Sequence, residues 1–556
     1  MPPEAAATPG RKPLLHGPLA ALGAGGLQAL SFAPGPLPAW SLPFVQVVAL
    51  AVLAHQVFCA ASPLRAAWRG WLFGFALFLV GVYWLTISMH TFGGMPLALA
   101  IAALALFAGA MALYAALAAA LTRLLCGPRG GVAERAPRQI LNAALWASAW
   151  TLCEWLRSTL FTGFPWLNIG YAHAEGMFTG WAPIIGVHGL AWLAAFAAGA
   201  IALMARAKDT VYDRSAAATI GLAVATGLLG IAWTHIAWVR SDGAPMVVRL
   251  VQTGTPQSQK FDAARFQDAL AKDLRLAGLP PKSPDDAPGL VVLPETVMPA
   301  FQDAIHEDIW ARWRAVAQAL GAPVLMGMPL RRTTPEGVRV TNGALVIEPD
   351  GAAGATPGLA WHYDKRHLVP FGEFVPPGFR WFVDAMDIPL GDFDRGPAHQ
   401  PPLRAGSQTF AVDICYEDTF GAEIAATVRP GPQGDSPSVL VNLSNLAWFG
   451  DTWALRQHLR IARLRALETG RPMIRATNTG MTAAIDPLGR VRATLDTQGP
   501  GVLDVEIQGT QGLTPYVRWG DLPTLAWTLA CLLLGLARRN APRRHEATAD
   551  AGQSDP

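Results

Sequence analysis

The sequence predicts a polytopic α-helical membrane domain of about eight transmembrane helices joined to a soluble α/β domain. Three observations predict it. Of the 556 residues, 52% are hydrophobic and only 15% charged, against about 25% charged in an ordinary soluble domain. Seven apolar runs of bilayer-spanning length follow one another before residue 240. From Met246 onward the pattern changes to short β-branched runs alternating with helical ones.

A helix of about 20 apolar residues crosses a bilayer. Runs of this kind lie at 14–33, 37–58, 70–89, 95–122, 139–158, 181–204 and 217–238, and an eighth at 520–537. Seven in succession with almost no internal charge argue against core helices of a large soluble protein. Arg11 and Lys12 precede the first run; Arg65 and Arg69 follow the second. Arg123, Arg129, Arg135 and Arg138 follow the fourth, Arg206, Lys208 and Arg214 the sixth, and Arg538, Arg539, Arg543 and Arg544 the eighth. The alternate connections are basic-poor, with only His90 in 90–94 and only Glu175 charged in 159–180. The positive-inside rule then puts both termini in the cytoplasm and the α/β domain on the opposite side. The expected organisation is a disordered tail at 1–11, a membrane domain at 12–240, an α/β domain at 245–510, the eighth span at 518–538 and a second tail at 539–556. Arg11-Lys12 ahead of an apolar stretch has the look of a secretory signal, but further spans follow at once, which predicts an uncleaved anchor.

The loop Thr162-Gly-Phe-Pro-Trp166-Leu-Asn-Ile-Gly-Tyr171 is aromatic and nearly uncharged. Two readings stand side by side: an interfacial aromatic belt, or a loop packed under the α/β domain that lines a lipid entrance.

In the α/β domain, strand-like runs occur at 247–251, 290–293, 324–326, 344–347, 410–414, 439–442, 473–476 and 482–485. Helical patterns at 263–277, 305–320 and 453–469 separate some of them, which suggests a sheet with covered faces. The arginines of 453–469 (Arg456, Arg460, Arg463 and Arg465) are read as the wet side of a half-solvated helix.

Five cysteines supply no disulfide framework, and Cys415 alone lies outside an apolar segment. A lone thiol of this kind is either a small buried hydrophobe or a reactive group. Its neighbours favour reaction. Glu295 follows an apolar strand and Pro294, Lys365 sits in a loop with Glu373 eight residues on, and Cys415-Tyr-Glu417 ends another strand. Ligands collect at the carboxyl ends of strands in α/β sheets. A thiol attacks only as thiolate, with an ordinary pKa of about 8.5. An ammonium favours that form, and a carboxylate can take the proton and return it to a leaving group. The ammonium can also steady an oxyanion. No His/Cys cluster has metal-ligand spacing, so neither metal nor cofactor is expected. The net charge of +3, without a long basic tract, gives no reason to expect nucleic acid.

The order Glu, Lys, Cys, in Leu-Pro-Glu295, Lys365-Arg-His-Leu-Val-Pro-Phe-Gly-Glu373 and Cys415-Tyr-Glu417, resembles the nitrilase (carbon–nitrogen hydrolase) superfamily. The membrane half narrows the resemblance to its membrane-integrated branch, the apolipoprotein N-acyltransferase family. Further matching segments are Gly163-Phe-Pro-Trp166, Ala447-Trp-Phe-Gly-Asp451, the stretch from Gln457-His-Leu to Arg465-Ala-Leu-Glu468, Gly470-Arg-Pro472, Arg475-Ala-Thr-Asn478 and Gly512-Leu-Thr-Pro-Tyr516. One departure is Leu446, where the family commonly carries an acidic residue.

The resemblance implies a nitrilase-like αββα sandwich and a ping-pong reaction. Cys415 would take an acyl chain from the sn-1 ester of a phospholipid, usually phosphatidylethanolamine, as a thioester. It would then pass that chain to the α-amine of the N-terminal diacylglyceryl-cysteine of an apolipoprotein. Glu295 would serve as base and acid and Lys365 would stabilise the oxyanion, with Glu373 and Glu417 in support. Trp166, Tyr416, Trp448, Trp381, Phe382 and Asn342 would bind substrate or lipid. The enzyme would be a monomer in the bacterial inner membrane with its catalytic domain in the periplasm. Phe379, Trp381, Phe382 and Met386 make 375–390 either a lid dipping into the bilayer or a loop packed on its own domain.

Two rivals belong to other classes. A membrane-tethered amidase would use the same triad on a small C–N substrate, with water as acceptor. A transporter would place ionisable residues at mid-membrane, whereas the only acidic residue deep in a run is Glu154, near one end.

Overall fold

The computed structural model describes residues 17–540 apart from 36, 127–135, 207–209, 336, 351–360, 381–391 and 432–433. Most of both expected tails and the lid residues Trp381, Phe382 and Met386 therefore lie outside the described residues.

Helices stand in all eight apolar runs: Pro18–Ala29, Leu42–Cys59, Pro63–Gly81, Leu97–Leu125, Ala136–Thr159, Ala182–Met204, Thr210–Trp233 and Leu522–Asn540. Among the described residues, four stretches are long and apolar enough to cross a membrane: Ala39–Cys59, Leu97–Leu125, Thr179–Met204 and Arg214–Trp233. The pair Pro63–Gly81 and Leu85–Phe92, bent by 59°, makes a fifth. Length and apolarity thus support four or five of the eight expected spans. Pro18–Phe32 is shorter, and Ala136–Thr159 carries Arg138, Glu154 and Arg157.

Small residues set the packing of this bundle. In Leu97–Leu125 the buried face is Ala100, Ala108, Ala112, Ala115 and Ala119, while Leu99, Leu106 and Leu113 point outward at seven-residue spacing. That outward leucine stripe suits lipid contact. Gly70 and Gly74 of Pro63–Gly81 meet the alanine face, and a Cβ on Gly70 would lie 2.4 Å from the Ala115 carbonyl oxygen. Close backbone approach of this kind drives helix association where no hydrophobic effect operates.

The α/β domain holds two six-stranded sheets. The first is ordered β12 (Gly501–Gln511), β1 (Arg240–Gln252), β2 (Leu290–Val292), β3 (Val324–Thr334), β4 (Gly337–Ile347) and β5 (His362–Asp364). The second is ordered β11 (Val491–Thr494), β10 (Ala483–Ile485), β9 (Met473–Thr477), β8 (Val439–Ser444), β7 (Gln408–Ile414) and β6 (Leu403–Ala405). The central strands β1–β2–β3 and β7–β8–β9 pair in parallel. They read as continuous apolar runs because both faces are covered. Val248, Leu250, Val292 and Leu325 of one sheet bury against Phe410, Val412, Val441 and Ile474 of the other. Helices Phe266–Ala277 and Glu307–Leu320 cover the first sheet, and Gly421–Val428 and Trp453–Thr469 the second, which completes the αββα sandwich.

Helix Trp453–Thr469 corrects the half-solvated reading. Fourteen of its 17 residues are buried, because one side packs on the sheet and Ala454, Ile461 and Leu464 pack into the membrane half. Arg460 is buried and matched inside the junction. Arg460 Nη1 donates to Glu175 Oε1 at 2.7 Å and Nη2 to the Ala172 carbonyl at 2.9 Å. The basic-poor connection 159–180 meets this domain, Tyr416 Oη donating to Gly163 O and Tyr171 Oη to Thr419 O, and Gln457 Nε2 donates to Gly81 O at the end of Pro63–Gly81.

Candidate active site

Three strand ends deliver the predicted triad to one point. Glu295 lies just past β2, Lys365 directly follows β5, and Cys415 directly follows β7. The triad comes from both sheets, so the site exists only because the sheets stack with these ends together.

Lys365 is fully buried. Its Nζ donates to Glu373 Oε1 at 2.8 Å and to Glu295 Oε1 at 3.3 Å. Burial alone would lower the pKa of this ammonium, but the Glu295 and Glu373 carboxylates outweigh it and hold the group charged, above its ordinary value. An unpaired buried ammonium would instead lose its proton. Two carboxylates therefore face one ammonium, Lys365 Nζ bridging Glu295 and Glu373.

Asn342, in β4, ties the carboxylates together. Its Nδ2 donates to Glu295 Oε1 at 2.8 Å and to Glu373 Oε1 at 2.6 Å, and its backbone carbonyl accepts from Lys365 N at 2.8 Å. Asn342 is buried, with its amide nitrogen engaged by both carboxylates. Glu295 Oε2 also accepts from Asn445 N at 3.0 Å, and the Glu295 carbonyl accepts from buried Lys260 Nζ at 3.0 Å. Sequence reasoning missed Asn445 and Lys260. Asn445 sits just past the end of β8, where the strand-end rule that found the triad could have found it.

Glu417 joins the Lys365 and Cys415 loops. It accepts from Ile414 N at 2.6 Å beside the thiol, and from Arg366 N at 2.7 Å and His367 N at 3.0 Å beside the lysine. Tyr363 Oη donates to both of its oxygens at 3.0 Å. Burial pushes the Glu417 carboxyl up to about 7, against the opposing pull of Lys365 and these backbone donors.

Cys415 is half-buried and holds a φ of +56°. A left-handed conformation at a residue with a Cβ costs on the order of 1–2 kcal/mol, so neighbouring contacts must impose it. Burial raises the pKa of the thiol well above its ordinary value; Glu295 raises it further and Lys365 opposes. The resting group is therefore the neutral thiol, and attack requires a base. Glu295, with Lys365 between it and Glu373, is placed in that pocket.

The aromatic predictions divide. Trp166 is buried under the α/β domain, where Nε1 donates to Gln457 Oε1 at 2.8 Å and the ring stacks on His458 at 5.5 Å. Of the two readings of its loop, the structure takes the packed one, but Trp166 has no face left for lipid. Arg157 and Glu154 brace that loop: Arg157 Nη1 donates to the Trp166 carbonyl at 2.7 Å, and Glu154 Oε1 accepts from Ile169 N at 3.1 Å. Tyr416 is likewise buried, its hydroxyl 3.1 Å from the Gly163 carbonyl. Trp448 is half-buried and edge-on to Phe92 of the bent membrane pair. Leu446 is buried with its methyl against Gly480, so an apolar side chain suits the position where the family commonly carries an acid.

Comparison with known proteins follows the same division. Residues 24–200 match the model of the apolipoprotein N-acyltransferase N-terminal domain, and residues 250–516 match that of carbon-nitrogen hydrolase. An apolipoprotein N-acyltransferase of Bordetella bronchiseptica is 48% identical over 96% of this chain and 99% of its own length. One from Ralstonia nicotianae is 42% identical over 96% of each. Among solved structures, a CN-hydrolase superfamily protein of Xanthomonas campestris is similar over 53% of this chain and 97% of its own, at 20% identity and a TM-score of 0.35.

Proposed function

From the premise that the chain belongs to the apolipoprotein N-acyltransferase family, we propose that Cys415 carries the acyl group between the two substrates. The chain is a membrane acyltransferase that acts on lipoproteins, with phospholipid as the source of the acyl chain. The observation that carries the proposal is the buried cluster of Glu295, Lys365 and Glu373, bridged by Asn342 and gathered with a thiol held neutral at the end of β7.

In the first half-reaction Glu295 takes the Cys415 proton as sulfur adds to the sn-1 ester carbonyl. Lys365 Nζ faces the developing oxyanion, and a preorganised cation in a dry site stabilises such charge more than it would in water. Collapse of the tetrahedral intermediate breaks the ester C–O bond, and Glu295 returns the proton to the lysophospholipid oxygen. In the second half-reaction the neutral α-amine of a diacylglyceryl-cysteine adds to the thioester. Glu295 takes one amine proton and delivers it to the departing sulfur. The product is an amide and the free thiol. No step calls on a metal or a cofactor.

The family resemblance suggests phosphatidylethanolamine as donor, and a monomer suffices because the triad comes from one chain. The positive-inside pattern supports a periplasmic site on the inner membrane. Trp448, half-buried against Phe92, and the aromatic segment 375–390 are the residues proposed to meet lipid. The test is transfer in proteoliposomes from a phospholipid with distinguishable sn-1 and sn-2 chains to a diacylglyceryl-cysteine peptide. The reading expects only the sn-1 chain on the peptide amine. Hydrolysis of a short amide without any transfer would instead favour the tethered amidase.

A further inference from the structure

The nucleophile's backbone is held from behind by a group the reaction does not consume. The Cys415 carbonyl accepts from Asn442 Nδ2 and from His458 Nε2, each at 3.2 Å. His458 is fully buried on helix Trp453–Thr469, and its hydrogen bonds fix its tautomer. Arg475 Nη2 lies 2.7 Å from Nδ1. A guanidinium only donates, so Nδ1 accepts and the proton sits on Nε2. That N–H is shared between the Cys415 carbonyl and Asp418 Oδ1, the latter at 2.7 Å. Arg475 Nη1 also donates to the His458 carbonyl at 2.8 Å. Burial holds the imidazole pKa below its ordinary value, which keeps the ring neutral.

The other face of the ring belongs to the membrane half. Trp166 stacks on it with an interplanar angle of 16°. Both Trp166 Nε1 and Trp84 Nε1 donate to Oε1 of the adjacent Gln457, and Gln457 Nε2 donates to Gly81 O. Two membrane segments thus grip the turn of helix that carries His458.

We propose that His458 is a positioning residue for the nucleophile: its Nε2–H holds the Cys415 carbonyl, fixes the left-handed turn that presents the thiol, and ties that turn to the membrane loop through Trp166. The imidazole does not reach the reacting atoms and moves no proton. It acts through the peptide of Cys415, so its effect falls on the rate of acylation and not on phospholipid binding. The proposal deepens the function above and rests on Cys415 being the acylated thiol.

The test uses the full chain in lipid nanodiscs and follows Cys415 acylation by intact mass. His458→Phe keeps a ring to stack on Trp166 and removes the donor; His458→Gln restores an amide donor near the Nε2 position. His458→Phe removes the ring's bonds to the Cys415 carbonyl, Asp418 and Arg475; the loss of the first, at the nucleophile, predicts that the acylation rate falls about tenfold. The phospholipid KM should stay within about twofold, and His458→Gln should recover to within about threefold of wild type. A wild-type rate in His458→Phe would overturn the proposal, as would a His458→Gln rate no better than that of His458→Phe. If His458→Phe fails to fold, His458→Asn, whose amide is too short to reach the carbonyl, must show the same split between rate and KM. Wild-type protein without an adduct on Cys415 would overturn the parent reading and this one together. An adduct on wild type with unimpaired His458 variants overturns the positioning role alone.

Discussion

Replacing Glu295 with Gln separates proton transfer from charge at nearly constant shape. The amide oxygen can still accept from Asn342 Nδ2 and Lys365 Nζ, the partners now at 2.8 and 3.3 Å. The amide nitrogen would face the Asn445 N–H that Oε2 accepts today at 3.0 Å. That single mismatch costs about 1–3 kcal/mol of stability, which leaves the protein foldable. Catalysis loses its base, and general-base removal costs roughly 10²–10⁴ in rate. The thiol moves the other way. Glu295 is the largest charge contribution raising the Cys415 pKa, and Lys365 opposes it. With the carboxylate gone, the ammonium acts unopposed by Glu295, and the thiol ionises at lower pH. The assay is a pair of measurements on the same preparation: the pH midpoint of iodoacetamide alkylation at Cys415, and the rate of acyl-adduct formation from phospholipid. The variant should show a lower alkylation midpoint together with acylation at least a hundredfold slower. Acylation within about threefold of wild type, or a raised alkylation midpoint, would refute the assignment of Glu295 as base.

Further predictions follow from the supporting residues. Asn342→Leu removes the donor shared by Glu295 and Glu373, each bond to a charged group worth about 1.5–3 kcal/mol; acylation should become undetectable, with a lower thermal midpoint in detergent. Glu417 titrates near 7, so acid protonates it and withdraws an acceptor from the Ile414, Arg366 and His367 amides. The acylation rate should fall as pH drops from 8 to 6 with a midpoint near 7, and Glu417→Gln should be slow and lack that limb. The stability sign is opposite. A carboxyl raised from 4.5 to about 7 is more protonated in the folded state across that range, so its contribution to stability is full below about 4.5 and is lost as pH rises through 7. Denaturation at pH 5.5 and 8 should show that difference shrink in Glu417→Gln. Trp166→Ala removes a buried ring and its bond to Gln457. It should cost about 3–5 kcal/mol, read as a lowered melting temperature of the intact protein.

The sequence carried the architecture because both halves obey simple periodicities. Apolar runs of membrane length became helices at all eight places, and β-branched runs became the central parallel strands. The triad was legible because each member ends or follows a strand, where chemistry types stand out against an apolar run. The tie between Asn342 and the carboxylates was not legible because it arises from antiparallel pairing. The β4–β5 register sets Gly343 against Asp364 and thereby brings Asn342 beside Lys365, 23 positions along the chain. Helix 453–469 was misjudged because its charged positions look solvated until two domains close on it. Arg460 and Glu468 are buried with partners in the membrane half, Glu175 and Val187 N, and Arg465 pairs with Glu468. Trp166 suited a lipid interface by composition, but the contact that decides its place is with His458, 292 residues away. Such long-range juxtapositions leave no local signature.

The central claim is that one thiol carries the acyl chain, and intact-mass analysis of the protein after incubation with phospholipid tests it most directly. Wild type should gain the mass of one acyl chain on the peptide containing Cys415. The adduct should be released by neutral hydroxylamine, as a thioester is, and should discharge on addition of a diacylglyceryl-cysteine peptide. Cys415→Ala should gain none. An adduct that persists in Cys415→Ala, or a wild-type protein that transfers the acyl chain without ever carrying it, would contradict the account.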